Sequence, residues 1–136
     1  MSAASFSLMN ARTERPVADS VEVALTRNAR RKGLLGRNGL APYSALVLAP
    51  CAAVHTMFMR FAIDVIFVDG AGRAVHIVTG LPPWRAAMAR VAHAVIELPA
   101  GTLASREVVV GDSLYLMPSG GGRLALSAGA LREQLS

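Results

Sequence analysis

Long apolar runs, paired cysteines and, over a long central stretch, acidic residues are what this 136-residue sequence lacks, and its aromatic residues are few. Its hydrophobic stretches are broken by His, Arg or Asp well short of the roughly 18–20 residues that a membrane helix needs, so no membrane helix is expected. The N-terminal region carries Arg12, Glu14 and Arg15 in place of the apolar core of a signal peptide. Together these absences lead to the expectation of a soluble, cytoplasmic protein with no membrane partner. The single cysteine, Cys51, forms no internal disulfide and offers no Cys-x-x-Cys clip, and it reads as a small buried hydrophobe. No serine stands in a Gly-x-Ser-x-Gly elbow and no glycine-rich phosphate loop precedes a helix. His55, His76 and His93 follow no metal-ligand spacing. No metal and no cofactor are therefore expected.

What is present is hydrophobic: 53% of residues are apolar and 17% charged, with a mean hydropathy of +0.42, the composition of one compact domain. The net charge is +5, and thirteen of the fourteen cations are Arg. Between Glu22 and Asp64 stand Arg27, Arg30, Arg31, Lys32, Arg37 and Arg60 and no acid. This reads as a solvated basic face. Weak nucleic-acid binding through Arg27–Arg37 is an alternative, set lower because no aromatic residue interleaves with these cations.

Along the chain, residues 1–19 show no periodicity and are expected to form a mobile leader. Val21, Val23 and Leu25 alternate with smaller or polar neighbours, the pattern of a half-buried strand. Thr26 is placed to cap a short helix that Gly33 and Gly36 end. Ser44–Ala49 forms an apolar run bounded by Pro50. Val54–Met59, Ile63–Val68 and Arg73–Val78 read as strands, the last two joined into a hairpin by Asp69-Gly70-Ala71-Gly72. Arg85–Ala92 reads either as a short helix or as an extended loop. Ala94–Leu98 and Ser113–Met117 read as further strands, with a helical turn near Thr102–Ser105. Pro118 to Gly122 has the composition of a linker, so 118–136 is expected to be a tail with a weak strand or helix at its end. The expected fold is mainly β: a compact antiparallel β-sandwich or partly open barrel spanning 20–117, with one or two short helices.

Several segments in order carry a family likeness: Val21-Glu22-Val23-Ala24, Arg31-Lys32-Gly33-Leu34-Leu35-Gly36-Arg37, Met57 through Asp69, Pro83-Trp84, Val95-Ile96-Glu97-Leu98-Pro99-Ala100-Gly101, and Gly111-Asp112. Over about residues 20–117 the chain resembles the uncharacterised prokaryotic family known as domain of unknown function 192. The resemblance implies a compact β-sandwich-like fold and no established activity. Members of that family often begin with a signal peptide or lipoprotein leader, which residues 1–19 do not resemble.

Polar residues set in apolar strands supply the candidate site. Asp64 shares a strand face with Ile66 and Val68, and an unpaired carboxylate there is costly, so contact with Arg60 is expected. Pro82-Pro83 stiffens the loop that presents Trp84 and Arg85, an aromatic face beside a guanidinium. The leading reading is a ligand- or partner-binding module, not an enzyme, for an anionic or sugar-like group, or for a protein partner. It uses His55, Arg60, Asp64, Trp84 and Arg85, with His93 and Glu97 as secondary candidates: Arg60 donates to a carboxylate or phosphate, Asp64 orients it and Trp84 stacks. The competing reading is a hydrolase of a saccharide or similar polar substrate, with Asp64 and Glu97 as its acid and base.

Overall fold

A computed structural model describes residues 5–135. In chain order the elements are β1 (Phe6–Asn10), β2 (Arg15–Ala18), β3 (Ser20–Ala24), α1 (Arg27–Lys32), β4 (Ser44–Leu48), β5 (Ala53–His55), β6 (Ile63–Val68), β7 (Ala74–Leu81), β8 (Ala86–Met88), β9 (Ala94–Pro99), α2 (Thr102–Ser105), β10 (Leu114–Pro118) and α3 (Ala128–Leu135). Strand dominates and the helices are short, as expected for a mainly β chain, although there are three helices instead of one or two.

The strands form a three-stranded sheet ordered β10-β1-β2, a five-stranded sheet ordered β3-β4-β9-β6-β7, and a two-stranded ribbon of β5 and β8. All pairings are antiparallel except β3 with β4, which α1 connects. Every residue of β6 is buried, and so is β9 as far as Leu98. Strands apolar on both faces need cover on both sides. On one side Ala45, Val47, Ile66, Ile96 and Leu98 pack with Phe6, Leu8, Val17, Leu114 and Leu116, so the small sheet lies against the large one as in a sandwich. On the other side Leu46, Leu48, Val65, Phe67 and Val95 pack with Leu34, Val54 and Met59, contributed by the segment after α1, the ribbon and the loop beyond it.

The β6–β7 hairpin turns where the sequence places it. The Asp69 carboxylate accepts from the Ala71 and Arg73 N–H groups, and Gly72, at φ +83°, closes the turn. A Cβ on Gly72 would stand 2.6 Å from the Leu114 carbonyl oxygen, so only glycine fits there. The Thr26 hydroxyl accepts from the Ala29 N–H at 3.0 Å, and Gly33 ends α1, again as the sequence indicates.

Both ends of the chain differ from expectation. The segment taken as a leader supplies β1 and β2, because Phe6, Leu8 and Val17 offer the small sheet an apolar face too short to register as a period. The segment taken as a tail folds back: Leu124 bridges to Leu116, and Leu126, Ala128 and Leu131 are buried. Residues 1–4 and 136 of those two segments lie outside the described residues. The expected strand Val54–Met59 stops at His55, where Thr56 turns the chain. Among the described residues no helix is long and apolar enough to cross a membrane.

Candidate functional site

Asp64 and Arg60 do not meet. Asp64, 1% exposed, accepts three backbone N–H groups: Gly80 at 2.8 Å, Gly101 at 3.0 Å and Leu103 at 2.9 Å. It thereby caps α2 and ties it to the end of β7, satisfying donors that would otherwise be orphaned. Arg60 is exposed and donates instead to Asn38 Oδ1 at 2.7 Å. The expected ion pair is thus replaced by backbone donors, which neutralise the cost of burying a carboxylate as well as a cation would.

Trp84 and Arg85 sit in a loop clamped by Thr56. The buried Thr56 hydroxyl donates to the Pro82 carbonyl at 2.6 Å and accepts from the Arg85 N–H at 2.9 Å, while its backbone carbonyl accepts from the Trp84 N–H at 2.9 Å. Trp84 is 52% exposed and meets Phe58 edge-on, with ring centroids 4.6 Å apart. His93 Nε2 accepts from the Ala128 N–H at 2.9 Å and so fixes the start of α3. Asp112, buried, accepts from Asn10, from Arg12 at 2.6 Å and from the Val109 N–H, a structural tie between β1 and the turn before β10.

Glu97 has a different environment. It lies in the middle of the large sheet, opposite Leu46 on one side and Val65 on the other. It is 4% exposed, and its carboxylate forms no hydrogen bond among the described residues, although its oxygens keep some accessible surface. Burial pushes its pKa up to about 7, and Arg37 lowers it only in part; Arg37 is itself held by Glu22 at 2.8 Å. The carboxylate borders a cavity of about 230 Å³. Its roof is the end of α1 and the turn after it: Arg30, Arg31, Lys32, Gly33, Leu34 and Leu35. Gly33 comes so close that a Cβ there would stand 3.8 Å from Glu97 Oε1. Leu48, Cys51, Ala53, Val54, His55 and Met59 complete the walls.

This chamber joins an apolar interior, one buried acid that both donates and accepts near neutral pH, and a cationic rim. Arg30 also reaches the Leu25 carbonyl, which anchors its side chain beside the helix. Cys51 is half-buried and donates to the Ala53 carbonyl, and burial raises its thiol pKa, so it is no activated nucleophile. A second, more open recess of about 350 Å³ lies between Ser5–Ser7 and Met117–Ser119 and contains no buried ionisable side chain.

Of the sequence candidates, then, His55 and Glu97 line one cavity, and Trp84 and Arg85 share a loop tied to Thr56 beside it. Arg60, Asp64 and His93 have other partners elsewhere. Asp64 and Glu97 do not share a cleft: Asp64 pairs with Leu98 and Glu97 with Val65, so the pleat sends them to opposite faces of the sheet. Sequence reasoning did not place Arg30, Arg31, Lys32 or Cys51 in the site. The available signal was a basic last turn without an acid to balance it. Among the described residues no group of three metal-ligating side chains is present.

The model of the DUF192 family, described as Uncharacterized ACR, COG1430, matches residues 8–116. UPF0127 protein PF1050 of Pyrococcus furiosus is 44% identical over 64 residues, which cover 46% of this chain and 54% of that protein. The chain thus spans about half the length of this curated relative. Two crystal structures are similar in fold. One is the "putative transcription regulator (R01717)" of Sinorhizobium meliloti 1021, with a TM-score of 0.71 and 24% identity, covering 86% of this chain and 94% of that one. The other is a protein of unknown function from Novosphingobium aromaticivorans, with a TM-score of 0.70 and 21% identity, covering 81% of this chain and 82% of that one.

Proposed function

This chain belongs to the DUF192 family, and from that premise and the cavity's chemistry we propose that it is a binding module for a small, hydroxylated anion such as a sugar phosphate. One observation carries the reading: a carboxylate only 4% exposed, with the charge of Arg37 acting on it but no hydrogen-bond partner among the described residues, borders a cavity rimmed by Arg30, Arg31 and Lys32. The carboxylate oxygens keep accessible surface at the cavity, so a ligand hydroxyl can reach them and donate there. The rim cations stand where a phosphate or carboxylate at the other end of such a ligand would emerge, and apolar walls between them accommodate a carbon skeleton.

The hydrolase reading draws no comparable support, since Asp64 is on the other face of the sheet and its oxygens are engaged by three N–H groups. The test is isothermal titration with inorganic phosphate, glucose and glucose 6-phosphate, on the wild type and on Glu97→Leu. The phosphorylated sugar is expected to bind saturably and more tightly than either half alone, and Glu97→Leu is expected to lose that advantage while staying folded. Absence of binding by all three probes, or unchanged binding by Glu97→Leu, overturns the proposal.

A further inference from the structure

We propose that the outward face of the β5–β8 ribbon, with the Phe58–Trp84 pair at its tip, is a docking surface for an anionic lipid bilayer. The register puts Ala53 opposite Met88 and His55 opposite Ala86, and all four are exposed while Val54 is buried beneath them. The ribbon thus covers the large sheet with one face and offers solvent a face on which His55 is the only polar side chain. Phe58 is 73% exposed, Met88 64% and Trp84 52%, large apolar groups that folding leaves in water.

The aromatic pair is held outward by construction. Phe58 and Trp84 both adopt left-handed backbone angles, φ +64° and +66°, which bulky residues rarely take and which cost energy unless the surroundings impose them. Thr56 ties the two loops together, because its backbone carbonyl accepts from the Met59 N–H at 3.1 Å on one side and from the Trp84 N–H at 2.9 Å on the other. A rigid, protruding aromatic tip loses little entropy on entering a second phase.

Charge selects the occupant. No acidic residue occurs from 23 to 63 or from 70 to 96, so the ribbon and both loops carry cations alone, with Arg60, Arg85 and Arg90 exposed. A second copy of the chain on this face would set like charges against like. Phe58, Trp84 and Met88 line neither of the two cavities described above, whereas Ala53 and His55 also border the first, so the protruding apolar tip and not the cavity is what this face offers a partner. Arginines flanking exposed aromatic and aliphatic side chains match the headgroup and upper acyl layers of a negatively charged membrane surface. Binding of this kind is reversible and salt-sensitive.

Trp84 is the single tryptophan, so its emission reports on this face directly. The full chain is titrated with vesicles of phosphatidylcholine containing about one third phosphatidylglycerol, and with vesicles of phosphatidylcholine alone. Anionic vesicles are expected to shift the emission to the blue and to carry the protein down on sedimentation, an effect reversed by about 0.5 M salt. Phe58→Asn, a change the left-handed backbone tolerates, is expected to weaken partitioning about tenfold with an unaltered melt. The proposal is overturned by an unchanged Trp84 emission with anionic vesicles, by equal binding to neutral ones, or by full binding of Phe58→Asn. A stronger response to a single-stranded oligonucleotide or to an acidic peptide than to the vesicles also overturns it.

Discussion

Replacing Glu97 by Gln isolates what the buried acid does to stability. A carboxyl group whose folded pKa is raised binds its proton more tightly when folded than when unfolded, so its contribution favours folding at low pH and is lost as pH rises. The rise from 4.5 to about 7 opens the window between those two values. It corresponds to roughly 3.4 kcal/mol in full, of which about 2.5 kcal/mol is lost between about pH 5 and about pH 8. Urea melts of wild type and Glu97→Gln, taken across that range, give the stability of each at every pH. Every other ionisable group is common to the two proteins, so its contribution cancels in the difference. The expectation is that wild type loses about 2.5 kcal/mol relative to the variant on going from the lower pH to the higher. A difference that stays constant within about 0.5 kcal/mol over the same range refutes the reading, because it means that Glu97 keeps the same protonation in folded and unfolded chains.

Asp64→Ala removes the acceptor of three N–H groups, the one of Leu103 buried and those of Gly80 and Gly101 partly so, and is expected to cost about 1–3 kcal/mol in a denaturant melt, while Arg60→Ala, at an exposed position, changes stability by no more than about 0.5 kcal/mol. Leu131→Ala in α3 is expected to cost about 2–5 kcal/mol, a result that separates a docked C-terminal helix from a free tail; a loss below about 0.5 kcal/mol contradicts the packing described here. Trp84→Ala, at a half-exposed ring, is expected to lower stability by about 1 kcal/mol or less, measured by circular dichroism, and a loss in the range of about 3–5 kcal/mol shows that the indole is part of the core.

The parts of the fold legible in the sequence are those where local chemistry and burial agree. The β6–β7 hairpin is set by Asp69 and Gly72, whose turn geometry is local, and α1 is set by Thr26 and Gly33 in the same way. The ends of the chain were illegible for the opposite reason. Phe6 and Leu8 are ordinary residues until β10 pairs with β1 from more than a hundred positions away, and that pairing is a tertiary fact. The docking of α3 was hidden by the Gly120–Gly122 run before it, which has linker composition but serves as a bend that returns the chain to the core. At the candidate site, the exposure of Trp84 and the buried setting of Glu97 were visible as questions. The convergence of Glu97 with the last turn of α1 was not, because it depends on how the connection between β3 and β4 crosses the large sheet.

Asp64 and Glu97 show why residue type alone does not mark a site. Both are acids set in apolar sequence on neighbouring strands, one rung apart, and both are buried. The pleat turns one toward the loops that begin α2 and end β7, where free N–H groups surround it, and the other toward the apolar face under α1, where none does. Exchange of one rung would have moved each carboxylate to the other side of the sheet and reversed their environments. The first is a finished structural contact whose hydrogen-bonding capacity serves the fold. The second keeps unused hydrogen-bonding capacity facing a cavity, and with that capacity a folded chain still has free energy to gain from a ligand.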